Sequence, residues 1–589
     1  MTDTSATIPP AGRARWLQAP WDSAVPVLGI LLLGLFAYGN SLHGPFVFDD
    51  IRQVRDNPLI RDLGWLLTPD GYRSNPNRYV GYVTFALNYR LGGLDVFGYH
   101  LANLVIHLVT ALLLFRMVQI LFRTPLVRES PLAGGADGVA FVAASLFVTH
   151  PLGTQAVTYV VQRLTSLTAL LYLLATVLYL SWRLAEGRPG PSRTALYLGM
   201  LLSSLLAVRT KEIAFTLPAA LALAEFLFFP PRGLRRWLAV VPVGLIALLI
   251  PATWIDFRGP IASVVGSADR TTRLLTSVSR LDYLRTQAVV VCEYLRLLVW
   301  PTGQNLDHDF PIYTSTLDPR VLACTALLLS LAGVAVWLAR RTAPDARRPP
   351  LDPSLRIVSF GIGWFFVALS VESSLIPIVD VIYEHRAYLP SAGFFAAAST
   401  LLGLLFLRVT PDGAGRSNVL TGLALCLVLA SATMQRNSVW ASPLALWSDS
   451  AAKSPGKARP HLLLGESLEA AGMRAEAERA LRRAVEIDPR SVSGRTSFGT
   501  FLQKSGQLRE AEEVYRAVLQ TDPDHYPALF NLATLLWSAG RRDEAAALYR
   551  RYLDLAPDGG GAAISIATAR ANASRPVEVP PARPAVPGP

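Results

Sequence analysis

Four short polar stretches interrupt an otherwise apolar chain, and each carries groups able to move a proton or hold an anion. They are Asp49 and Asp50 in "GPFVFDD" (44–50), His150, Gln155 and Arg163 in "THPLGTQAVTYVVQR" (149–163), Lys211 and Glu212 in "RTKE" (209–212), and Tyr383, Glu384, His385, Arg386 and Tyr388 in "YEHRAY" (383–388). Each stretch follows an apolar run. Ionisable groups at membrane depth are costly and mark either a functional pathway or an internal pair. Each also has a plain structural reading. Paired aspartates cap helices, a lysine near a span end snorkels to the headgroups beside its glutamate, and His150 before Pro151 could simply close a span. The stretch "LDHDF" (306–310) adds Asp307 and Asp309, which suit either a divalent metal or a solvated loop. Asp49, Asp50, Asp307 and Asp309 are therefore the candidate metal ligands.

The elements that must position these groups are membrane helices. The chain has 589 residues, 51% hydrophobic and 17% charged, with a mean hydropathy of +0.35, too apolar for a soluble protein of this size. A crossing needs about 20 mainly apolar residues. Such runs are expected at 22–41, 99–121, 137–149, 165–182, 194–208, 212–229, 237–255, 320–339, 355–371, 390–407 and 418–434, about eleven spans in all. The net charge of +12 belongs to loops rather than to a nucleic-acid surface. Arg13 and Arg15, Arg123 and Arg128, Arg183 and Arg188, Arg232, and "ARRTAPDARRPP" (339–350) make every second loop basic, which sets the N terminus inside. An odd number of crossings then leaves everything after residue 434 outside, together with the four polar stretches. The segment "DYLRTQAVVVCEYLRLLVW" (282–300) carries Arg285, Glu293 and Arg296 and reads as an interfacial or re-entrant helix. Cys292, Cys324 and Cys426 all lie in apolar segments and imply no disulfide framework.

A repeat follows the spans. Pro455, Pro489, Pro523 and Pro557 recur every 34 residues, as do Gly472, Gly506 and Gly540, and Ala477, Ala511 and Ala545. That is the tetratricopeptide period. The expected organisation is a cytoplasmic segment (1–21), a transmembrane domain (22–436), a repeat domain (437–557, with three repeats over about 456–557) and a disordered Pro/Ala-rich tail (558–589).

Five stretches carry a family resemblance: "GPFVFDDIRQVRDNPLI", "NRYVGYVTFALNYRLGGLDVFGYHLANLVIHLVTALLLF", "HPLGTQAVTYVVQR", "KEIAFTLPAALALAEF" and "YEHRAYLPSAGF". With the repeats behind them, they resemble the transmembrane and tetratricopeptide repeat containing proteins and their bacterial relatives, within the GT-C glycosyltransferases. The resemblance implies an all-α polytopic bundle of GT-C type followed by an α-solenoid. It also implies transfer of a sugar, mannose by analogy, from a polyprenyl phosphate carrier to a hydroxyl of an extracytoplasmic acceptor such as protein Ser or Thr. On that analogy Asp49 or Asp50 orients and deprotonates the acceptor, with Asp50 slightly favoured. Arg386, His385, Lys211, Arg163, Tyr388 and Glu384 meet the donor and its leaving phosphate, and His150, Gln155, Glu212 and Tyr383 support them. The chain departs from its relatives in "HPLGTQAV", where "HPVHTEAV" is common: Gly153 replaces a second histidine and Gln155 a glutamate.

A transporter or flippase for a lipid-linked substrate, or a non-catalytic scaffold, would use the same architecture. The absence of a half-chain repeat among the spans argues against the transporter. The expected setting is a bacterial inner membrane with the repeats in the periplasm, the partners a lipid-linked donor and an extracytoplasmic protein, with no nucleic acid.

Overall fold

The computed structural model describes residues 24–186, 191–231, 233–253, 278–343, 351–374, 377–409, 414–555, 568 and 570–572. The N-terminal segment 1–21 with Arg13 and Arg15, Arg188, Arg232, residues 344–350, Pro557 and nearly all of the tail lie outside the described residues. The described chain is helical throughout, without a strand, and it divides into two units. One comprises residues up to Gln304 and Phe310–Ala441, the other Asn305–Asp309 with Ser442 onward.

In the first unit the described part of every expected span falls mainly on helix, residues 22–23 and 254–255 lying outside the described residues. Seven are long and apolar enough to cross a membrane: Ala24–Ser41, Val96–Phe122, Pro131–Thr149, Val160–Leu184, Pro319–Arg341, Glu384–Val409 and Ser417–Val439. The runs at 194–208, 237–255 and 355–371 form the shorter apolar helices Ser192–Val208, Trp237–Thr253 and Leu355–Leu369. The run at 212–229 is a 3-10 turn, Glu212–Thr216, leading into the helix Leu217–Phe228.

Polar side chains fasten span ends where apolar packing alone would let them slide. Asn437 Nδ2 donates to the Ala37 carbonyl (2.9 Å), Thr158 Oγ1 donates to Asn437 Oδ1 (2.8 Å), and Thr433 Oγ1 donates to the Thr149 carbonyl (2.6 Å). The first and last membrane helices are thereby pinned to the third and to the segment after it. Small residues bring Leu355–Leu369 against Tyr388–Val409: a Cβ on Gly393 would lie 2.7 Å from the Gly361 carbonyl oxygen, so only glycine permits this approach. The helix Arg280–Val299, expected to be interfacial, packs one face inward through Tyr283, Gln287, Val290, Tyr294 and Leu297. It does not meet the length and apolarity of a span.

The second unit contains three helix pairs: Ala458–Ala470 with Arg474–Ile487, Val492–Lys504 with Leu508–Thr521, and Tyr526–Ser538 with Arg542–Leu555. Gly472, Gly506 and Gly540 make the turns at φ of 79°, 81° and 80°, the left-handed region that glycine alone enters without penalty. Ala477, Ala511 and Ala545 are fully buried where the helices of each pair meet.

Candidate active site

The paired aspartates sit on a strained turn. Phe48, just before them, is the one non-glycine residue at positive φ (50°) among the described residues, a conformation that persists only where its surroundings enforce it. The turn gives the two carboxylates different surroundings. Asp50 is 1% exposed; its Oδ1 accepts the Val161 N–H (2.7 Å) and its Oδ2 the Val47 N–H (3.2 Å). Burial pushes its carboxyl up to about 8, against the pull of those amides. Asp49 is exposed, and its backbone N–H donates to the Tyr159 hydroxyl (2.9 Å). Tyr159 packs in turn on Trp440, ring centroids 5.4 Å apart. It is therefore Asp49, and not the expected Asp50, that faces solvent.

The segment from Tyr159 to Thr165 links this turn to a group of cations. Tyr159 and Val161 hold the aspartates, and one helical turn after Val161 the Thr165 hydroxyl accepts from Lys211 Nζ (3.0 Å). Lys211 also pairs with Glu372, Nζ to Oε1 3.0 Å, with side chains 11% and 12% exposed. Burial alone would raise the Glu372 carboxyl, but the charges of Lys211, Arg386 and Arg78 outweigh it and hold the group below its ordinary value. Arg78 lies 3.8 Å from Glu212. Lys211 thus pairs with a carboxylate that the sequence reading did not single out, and the charges of Arg386 and Arg78 act on the same group. Glu372 was visible as an acid just past the 355–371 run, but nothing local distinguishes it from a loop residue.

The loop carrying Glu372 and Arg386 is braced from behind. Tyr283 donates to the Glu372 carbonyl (2.7 Å), Gln287 to the Val381 carbonyl (2.8 Å) and Tyr294 to the Tyr383 carbonyl (3.0 Å). These three residues were also missed; their spacing of four and seven on one helix face was the available signal. Arg386 is 4% exposed, and its fork donates to the carbonyls of Val381 (3.1 Å) and Asp380 (2.8 Å). Its guanidinium lies 5.5 Å from the Tyr383 ring centroid, and Tyr383 Oη donates to Asp380 (2.9 Å).

Several expected site residues point elsewhere. Arg163 is fully buried and donates to Asn103, Asn88, Thr84 and the Tyr99 carbonyl, with Phe85 against its guanidinium at 4.5 Å, so it is engaged in holding these helices together. Tyr388 lies in the core and bonds His107 Nδ1 (2.7 Å). His150 neither holds the carboxylate loop nor faces a ligand: its Nδ1 accepts the Leu152 N–H and its Nε2 meets the Leu298 carbonyl, both at 3.2 Å. Gln155 Oε1 accepts the His385 N–H (2.7 Å) and lies 3.1 Å from His385 Nδ1, while its own Nε2 is buried without a partner. Buried Glu384 accepts from Gln304 (3.1 Å), which also donates to the Pro151 carbonyl. At Gly153 a Cβ would lie 2.7 Å from the Tyr38 hydroxyl, so a larger residue here needs Tyr38 to shift.

Asp307 and Asp309 belong to the second unit, where Asp307 is held by Lys457 and Arg459, each at 2.5 Å, and Asp309 Oδ2 accepts the Gly456 N–H. Among the described residues no group of three or more His, Cys, Asp or Glu could hold a metal ion.

Comparison with known proteins gives two findings. Tetratricopeptide repeat models match residues 458–491 and 498–560. Along most of its length the chain is similar to proteins named protein O-mannosyl-transferases: 24% identical over 477 residues to F38B6.6 of Caenorhabditis elegans (79% of this chain, 63% of that one), 26% over 551 residues to Tmtc3 of Drosophila melanogaster (82% and 57%), and 26% over 528 residues to TMTC1 of Homo sapiens (82% and 57%). The matched region spans about three fifths of these relatives' own length. A solved structure, ArnT from Cupriavidus metallidurans bound to undecaprenyl phosphate, aligns over 85% of this chain and 80% of its own at 14% identity, with a TM-score of 0.34, only a loose likeness.

Proposed function

We propose that this chain, a relative of the protein O-mannosyl-transferases that carry tetratricopeptide repeats, is itself a membrane glycosyltransferase of GT-C type. It moves a sugar, mannose by analogy with the relatives' names, from a polyprenyl phosphate to a hydroxyl of an extracytoplasmic protein. The repeats bind the acceptor or a partner. The observation that carries the reading is an exposed carboxylate, Asp49, on a strained turn that the Tyr159–Thr165 segment connects to Lys211, whose partner Glu372 also feels the charges of Arg386 and Arg78.

The chemistry divides between these parts. Asp49 accepts the proton of the attacking hydroxyl, a step that requires an ionised carboxylate within hydrogen-bond reach of that hydroxyl. Asp50 anchors the turn. The leaving phosphate gathers negative charge, which preorganised cations stabilise more strongly than the ground state. Lys211 and Arg78 meet it, while Arg386 holds the 380–386 backbone and adds its charge to the field. Glu372 keeps the cations in place until the donor phosphate arrives. No step is assigned to a metal.

The direct test is incubation of the purified full chain with radiolabelled polyprenyl phosphate mannose and an extracytoplasmic protein extract. Label should enter protein with wild type and not with Asp49→Asn. Equal labelling by the two would remove the base, and labelling by neither would leave the chain without the proposed activity.

A further inference from the structure

A second charged cavity lies at the far ends of the helices that begin at the candidate site. It is a partly open cavity of about 380 Å³, where Val96–Phe122, Arg163–Leu184 and Leu217–Phe228 finish. Measured along Arg163–Leu184, it is roughly 30 Å from the Asp49 turn at 1.5 Å per residue. Its wall combines Arg116, Arg123, Arg128 and Arg183 with one acid, Glu186, which pairs with Arg183, and with apolar Leu184 and Phe229. Arg183 is a fixed floor: its Nε and Nη2 donate to the fully buried Glu225 (2.8 and 2.9 Å), its Nη1 to Glu186, and its guanidinium lies over Phe229 at 4.5 Å. The other three arginines are not neutralised in this way. Arg128 has only an exposed contact at 3.7 Å to Glu129, and among the described residues no carboxylate lies within ion-pair distance of Arg116 or Arg123.

Arginines at helix C-termini often do no more than complement the terminal carbonyls. Here three of them come from one helix and the loop that follows it, Arg183 from a second helix, and together they line a partly open cavity with an apolar side at the depth where membrane-length helices end. An anion attached to hydrocarbon fits both walls, with its phosphate on the guanidinium forks and the roots of its chains on Leu184 and Phe229. We infer that this cavity binds the phosphate headgroup of an anionic phospholipid. The inference is independent of the glycosyl-transfer reading, because none of its residues belongs to the Asp49–Lys211 end.

The test uses the full chain, purified in neutral detergent and titrated with phosphatidylglycerol, phosphatidylcholine, inorganic phosphate or polyprenyl phosphate, with retention read by native mass spectrometry and melting temperature alongside. The wild type should hold phosphatidylglycerol about tenfold or more tighter than phosphatidylcholine. The double variant Arg123→Gln with Arg128→Gln, both solvent-facing, should lose that preference while melting normally without lipid. Arg116→Gln should weaken it separately, as a check should the double variant be poorly folded. Unchanged phosphatidylglycerol binding in both variants would overturn the assignment. So would equal protection by inorganic phosphate, or displacement of phosphatidylglycerol by equimolar polyprenyl phosphate, which would give the cavity to a free anion or to the carrier.

Discussion

The two aspartates differ by one position in sequence and by almost everything in environment, and their variants should separate accordingly. Asp49→Asn keeps the turn and removes an exposed proton acceptor, so transfer should fall about 100-fold or more with an unchanged melting temperature. Asp50→Asn leaves one carbonyl oxygen to serve two amides, those of Val47 and Val161. One buried N–H then loses its acceptor, at a cost of about 1–3 kcal/mol, and the melt should drop. Asp50 also has a pH signature. Its folded carboxyl lies near 8, above the ordinary value of 3.8, so the folded state binds the proton more tightly than the unfolded one. The stability this contributes is complete below the ordinary carboxyl value and is lost as pH rises through about 8. Melting temperatures recorded from pH 5 to 9 should decline more steeply for wild type than for Asp50→Asn. Parallel curves would mean that Asp50 is ionised throughout.

Helix contacts set the rigidity of the catalytic end. The crossing of Leu355–Leu369 with Tyr388–Val409 lies directly behind the Glu372–Arg386 loop, and it depends on Gly361 and Gly393. A Cβ on Gly393 would approach both the Gly361 oxygen and Trp364 Cδ1 at 2.7 Å. Gly393→Ala should therefore cost about 1–3 kcal/mol through overpacking and reduce transfer by displacing Arg386. Gly92→Ala, with nothing within 4 Å of its added carbon, serves as the neutral control. If both melt like wild type, the helices have room that the packing does not suggest. In the repeats, Gly506→Val places a β-branched residue at φ 81°, and a loss of about 1–2 kcal/mol is expected from the left-handed backbone, read in the same melt.

For the whole molecule the open quantity is orientation. The alternating basic loops of the sequence predict that the chain after residue 434 lies outside. A phosphatase fused after residue 557 should be active in a bacterial host. Activity of a cytoplasmic reporter at that point would revise the number of crossings and separate the repeats from the site.

The repeats and the membrane helices were legible because their causes are local. A 34-residue recurrence of glycine at a left-handed turn and alanine at a close contact, or about 20 apolar residues in a row, needs no knowledge of what lies elsewhere in the chain. The polar clusters were legible as places for the same reason, since charge beside an apolar run is conspicuous wherever the chain goes. Which member of a cluster meets solvent was not legible. Asp50 is buried by the amide of Val161, 111 positions away. Arg163 turns inward to Asn103, 60 positions away, and Lys211 meets Glu372 only because separate helices bring them together. Side-chain direction at a span end is decided by which distant partner satisfies its polar atoms, and tertiary packing alone makes that choice.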